Sequence, residues 1–140
     1  MPISDADYFR QLIARHQDGV RVSNFEFGLG EVAKCHENVD RFTALYSDHM
    51  PARGWLMTQL ANADGSSTGV YRIICHSVVR WPTGELIDVT PMDERDRGSY
   101  VFLEHVDSNI AFESLKVRFA ELYFPPVTDL LGQSPRRCVR

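Results

Sequence analysis

No apolar run in this 140-residue chain approaches the roughly 20 residues that span a bilayer, and Asp5 and Asp7 stand where an export signal would be basic and then apolar. The expectation is a soluble, cytoplasmic protein with no membrane partner. An excess of positive charge is also missing. Fifteen Lys and Arg are interspersed with 19 Asp and Glu for a net charge of −4, which speaks against a nucleic-acid partner. Cysteine is scarce. Cys35, Cys75 and Cys138 are odd in number and show no CxxC spacing, so neither a complete disulfide framework nor a zinc ribbon can be built, and reduced thiols are the simplest reading. Internal repeats and low-complexity segments are absent too.

What is present reads as one packed unit. With 44% hydrophobic and 24% charged residues, a chain of this length buries roughly two-thirds of its unfolded surface. We expect a single α+β domain over residues 1–124 and a C-terminal tail over 125–140, since Phe124-Pro125-Pro126 stops a helical pattern. Cys138 lies in that tail.

Ser4 opens a capping pattern ahead of Tyr8, Phe9, Leu12, Ile13 and His16, the stripe of a first amphipathic helix. Residues 20–27 alternate like a strand whose phase slips near Asn24, which suggests a bulge. Val32, Cys35, Val39, Phe42 and Tyr46 recur at helical spacing until Pro51. That central helix carries Cys35 in its first turn or two. Strands are expected over residues 54–60, 70–80, 86–90 and 100–105, and a last helix carries Phe112, Leu115, Phe119 and Leu122, capped near Asp107 or Ser108. Helices segregated from an antiparallel sheet define the α+β class.

Three residues suited to thiol chemistry occur in the order Cys35, His76, Asp88. Turn chemistry tests whether they can meet. Pro82 suits the second position of a type I turn and Gly84 the left-handed residue after it, giving a three-residue connection that pairs Trp81 with Glu85. Counting back, Val78 opposes Asp88 and His76 opposes Thr90, so His76 and Asp88 share a face as diagonal neighbours. A four-residue loop would put them on opposite faces.

In this reading the helix start favours a Cys35 thiolate, His76 pairs with it and protonates the leaving group, and Asp88 orients the imidazole. Asn38, three residues after Cys35, and the tryptophans Trp55 and Trp81 are candidate substrate-binding residues. The bland alternative is that Cys35 is a core cysteine, His76 a satisfied buried histidine and Asp88 a strand end. Metal binding by Cys35-His36 and Cys75-His76 is not expected, because neighbours on a strand point to opposite faces and neighbours on a helix diverge. No cofactor is implied. Cys75 is expected on the face away from His76.

The segments Cys35-His36-Glu37-Asn38-Val39, Gly54-Trp55, His76-Ser77-Val78-Val79 and Gly84-Glu85-Leu86-Ile87-Asp88-Val89-Thr90-Pro91 resemble small uncharacterised bacterial proteins related to the papain-like and transglutaminase-like superfamily. The likeness covers about residues 30 to 92. It implies a central helix packed on an antiparallel sheet with flanking N- and C-terminal helices, and a triad of Cys35, His76 and Asp88. His36 stands where better-known members carry tryptophan or another aromatic after the cysteine, and Leu29 where papain-type enzymes carry an oxyanion glutamine. Two functions are carried forward. One is a cysteine-dependent acyl transferase or hydrolase acting on a peptide, protein or small-molecule acyl substrate through a thioester. The other is a non-catalytic binding or structural module with an inert core cysteine.

Overall fold

The computed structural model describes residues 3–92 and 100–125. The acidic and basic run at 93–98, almost all of the expected tail, and Cys138 lie outside those residues. Helix α1 (Asp5–Ala14) starts at Ser4, whose hydroxyl accepts from Asp7 N–H at 3.1 Å, and a 3-10 turn (His16–Asp18) follows it. Then come β1 (Ser23–Asn24), α2 (Cys35–Leu45), β2 (Met50–Ala61), β3 (Ser67–Arg80), β4 (Leu86–Asp88), β5 (Val101–Glu104), α3 (Asn109–Arg118) and β6 (Glu121–Phe124). The α+β class is as the sequence predicts.

The sheet runs β1-β4-β3-β2-β5, antiparallel except for the parallel β1–β4 pair. β6 pairs with Tyr71–Ile74 of β3. Since β2 covers one edge of β3 along its length, β4 and β6 must share the other edge. β4 pairs only at Val79 and Arg80, and Cys75 N–H donates to Ala120 O at 2.8 Å beyond the end of β6. Residues 76–78 face a gap between the two short strands.

Both faces of the central strands are buried. On one, Tyr71, Ile73 and Cys75 pack with Trp55, Met57 and Leu103 beneath α1 and α3, and Val79 packs beneath Val39 and Phe42 of α2. On the other, Val78, Ala52, Leu56 and Phe102 form a second cluster with Val22, Tyr100 and Met92. Two covered faces explain why β3 is buried without a break from Cys75 to Val79 rather than alternating. No helix of the described residues is long and apolar enough to cross a membrane.

Four boundaries differ from expectation. Residues 20–27 do not form one strand: only Ser23–Asn24 pairs with β4, and Val20 makes an isolated bridge to Phe102. The amide of Asn24 reaches Asp88 O and Thr90 O instead, at 3.0 and 3.1 Å. The central helix starts later than Val32, because Ala33 takes a left-handed φ of 62° that no helix contains. Pro51 lies inside β2, opposite Val79; β5 pairs only with Gly54–Met57, so no ladder bond on that side is lost. Leu122 belongs to β6, not to the last helix, which ends at Arg118. The three-residue step from Phe119 to Leu122 mimics a helical stripe across a helix-to-strand junction.

Candidate active site at the start of the second helix

The β3–β4 connection has the predicted form. Gly84 N–H donates to Trp81 O at 2.9 Å and Trp81 N–H to Glu85 O at 2.8 Å, with Gly84 at a φ of 91°. Val79 therefore pairs with Ile87 and Arg80 with Leu86, and the same register sets Val78 against Asp88. His76 and Asp88 share a face, and His76 Nε2 lies 2.8 Å from Asp88 Oδ2. Both side chains are almost wholly buried.

Each partner is fixed from behind. Asp88 Oδ1 accepts from Thr90 N–H at 2.9 Å, and its carbonyl accepts from Phe25 N–H at 2.9 Å. Across the β2 ladder His76 faces Gly54. A Cβ there would fall 2.8 Å from the ring of Phe102, and that ring meets the imidazole edge to face with centroids 6.5 Å apart. The missing side chain thus lets Phe102 wall the histidine.

Cys35 is the first residue of α2, and Lys34 before it supplies no side-chain cap. The first-turn N–H groups therefore retain their partial positive charge near the sulfur. Helix α2 packs through Val39 and Phe42 on the face that carries Val79, with Cys35 at its start. Asn38, fully buried, sets the approach. Its amide exchanges bonds with Glu31, donating to O at 2.7 Å and accepting from N–H at 2.9 Å, and donates to Thr90 Oγ1 at 3.0 Å. One side chain thereby joins the loop before α2 to the exit of β4.

The electrostatics oppose the thiol form. Burial alone would raise the Cys35 pKa, but hydrogen bonds to His36 and His76 and the charge of those rings outweigh it and bring the thiol down to about 5. Burial would lower His76, yet the Asp88 carboxylate and then Cys35 raise it to about 10. The resulting order favours a thiolate–imidazolium pair near neutrality. With Nε2 engaged by Asp88, Nδ1 is the histidine nitrogen left for the sulfur.

Sequence reasoning passed over His36, treating it as a rejected metal ligand and as a departure from a family pattern. Its Nδ1 lies 2.6 Å from Ser77 Oγ and its Nε2 3.6 Å from Cys75 Sγ. The repeated Cys-His dipeptide was the available signal. Cys75 and His76 do point to opposite faces, but the helix turns Cys35 toward His76 and His36 toward Cys75, so the two dipeptides cross. Among the described residues no group of three or more His, Cys, Asp or Glu is arranged to hold a metal ion.

The three candidate substrate-binding residues have the following surroundings. Asn38 has no exposed surface and spends its amide on Glu31 and Thr90. Trp55 is fully buried on the α1 side, with Nε1–H donating to Tyr8 OH at 2.8 Å; it sits beside Cys75 in the strand direction that faces the core. Trp81 stacks on Phe42 at 5.3 Å and packs against His49, under the later turns of α2.

Comparison with known protein families, with curated proteins and with solved structures finds nothing that matches this chain.

Proposed function

We propose that the protein is a cysteine-dependent acyl transferase or hydrolase acting on an amide or thioester, with a papain-like or transglutaminase-like core. The observation that carries the reading is the His76–Asp88 bond at 2.8 Å on a buried imidazole, beside which the thiol of Cys35, the uncapped first residue of a helix, is brought down in pKa by that ring. An inert core cysteine has no need of an oriented, carboxylate-backed histidine.

The Cys35 thiolate attacks the acyl carbonyl carbon and the carbonyl π electrons move to oxygen, forming a tetrahedral oxyanion. The Cys35 backbone N–H, in the first turn of α2, donates to that oxygen in this scheme. As the carbon–nitrogen or carbon–sulfur bond breaks, the proton on His76 passes to the departing amine or thiol, leaving a thioester on Cys35. A water or amine then loses its proton to His76 as it attacks the thioester, and the thiolate leaves. Asp88 stays ionised and holds the ring through both halves.

The test is alkylation of Cys35 by iodoacetamide from about pH 5 to about pH 9, followed by mass spectrometry. Fast labelling already at the acid end, lost in His76→Ala, is expected. Labelling that follows an ordinary thiol and ignores His76→Ala would leave the binding or structural module as the better account. A second readout is the acetyl adduct on Cys35 after exposure to p-nitrophenyl acetate, absent in Cys35→Ser.

A further inference from the structure

A cleft of about 350 Å³ lies between α1 and α3, and the scheme above makes no use of it. Small-molecule sites occupy roughly 300–1,000 Å³, so the space is enough for a modest ligand. Tyr8, Leu12 and Arg15 line it from α1, and Ala111 and Leu115 from α3. Within each helix these residues are three or four apart, the spacing that puts side chains on one face. Ala111 brings only a methyl group to the seam.

The polar wall of the cleft is already committed. An indole nitrogen only donates, so Tyr8 Oη accepts from Trp55 Nε1–H at 2.8 Å, and its own proton is directed to His105 Nδ1, 2.7 Å away. A carbonyl only accepts, so His105 Nε2, 3.1 Å from Ser108 O, carries the ring's proton. Both rings are neutral in this arrangement. Burial acts the same way, raising Tyr8 to about 12 and lowering His105.

The charged residues around the cleft are not equivalent. Asp5 and Arg118 bind each other through two contacts, at 2.7 and 3.2 Å. Asp107 is exposed, and its Oδ1 accepts from Ser108 N–H at 2.7 Å. Arg15 is half-buried, and its guanidinium makes no ion pair among the described residues. One uncompensated cation beside apolar walls suits a single anionic group on a hydrocarbon body, whereas a phosphate dianion would bring a second charge with nothing to meet it.

We propose that the seam between α1 and α3 binds a small monocarboxylate with an apolar body, its carboxylate on Arg15 and its chain between Leu12, Ala111 and Leu115. The site does not depend on Cys35 as a nucleophile, and Cys35→Ser should bind the same ligand equally well.

The experiment is titration of the nitrogen-15-labelled full chain with sodium octanoate, octanamide and octylammonium chloride, following the Trp55 indole and Ala111 amide signals. Octanoate is expected to shift both signals saturably. Octanamide, which keeps the chain and loses the charge, should bind about tenfold more weakly, since a hydrogen bond to a charged group is what it gives up. Arg15→Gln should bring octanoate down to the level of octanamide. Ala111→Phe, which fills the seam and leaves Arg15 in place, should abolish binding of both, with thermal melting to show that the variant is folded. If Ala111→Phe does not fold, Arg15→Gln decides. Octanoate that fails to saturate below about 10 mM overturns the proposal. So does octanoate binding that is unchanged in Arg15→Gln, or that persists in a folded Ala111→Phe. Octylammonium binding more tightly than octanoate would make Asp107 the recognising group and overturn it as well.

Discussion

Cys35 and His76 have crossed acidities, the thiol brought down to about 5 and the imidazole raised to about 10. Turnover of an acyl probe should therefore rise as pH passes through the thiol, hold across neutrality, and fall where His76 loses its proton, since both thiolate and imidazolium are needed. A pH–rate profile of p-nitrophenyl acetate hydrolysis checks this. Asp88→Asn removes the charge that holds the proton on His76, and the upper limb should move toward neutrality by about 1–3 pH units. The positions of His76 and Asp88 were legible in the sequence because Pro82 and Gly84 fix the turn, and the turn fixes parity. His36 was not, since its partners Ser77 and Cys75 depend on how far α2 is rotated over the sheet, which no local pattern sets. The spacing of Asn38 from Cys35 was visible, while its bonds to Glu31 and Thr90 were not, since they join segments 7 and 52 residues away.

Helix α2 owes its starting point to the residue before its cap. Ala33 sits at a φ of 62°, where an L side chain costs about 1 kcal/mol, and that bend turns the chain so that Cys35 begins the helix. Ala33→Gly should offset part of this and raise stability by up to about 1 kcal/mol, measured by urea unfolding. Strand β2 makes the complementary concession at Gly54, where a Cβ would fall 2.2 Å from Leu103 O. Gly54→Ala forces the β2–β5 ladder and Phe102 to shift, and should cost about 1–3 kcal/mol in melting experiments and slow acid-side labelling of Cys35 as His76 loses its wall. Helices and hairpins were readable where caps and turns announced them, at Ser4, Ser108 and Gly84. β1 and β6 were not, because two-to-four-residue strands carry too few alternations to outweigh a neighbouring helical spacing.

Across the whole molecule the sheet separates two environments. Trp55 anchors the face that holds α1 and α3, packing on Phe9 at 5.3 Å and Phe112 at 5.7 Å, while His76 and Asp88 lie on the reverse. Trp55→Phe keeps most of that packing but strands the Tyr8 hydroxyl contact. It should cost about 1–2 kcal/mol in thermal unfolding and leave the Cys35 labelling midpoint where it was, which distinguishes a core residue from a substrate-binding one. The α+β class followed from element order, but the shared edge of β4 and β6 did not, since strand adjacency is a long-range property. That divided edge has a further consequence. Between Cys75, whose N–H reaches Ala120 O, and Val79, which pairs with Ile87, β3 changes partner from one short strand to the other. Were a hairpin redesign to weave the two short strands into one unbroken border, the molecule would gain ladder bonds where today it passes from neighbour to neighbour.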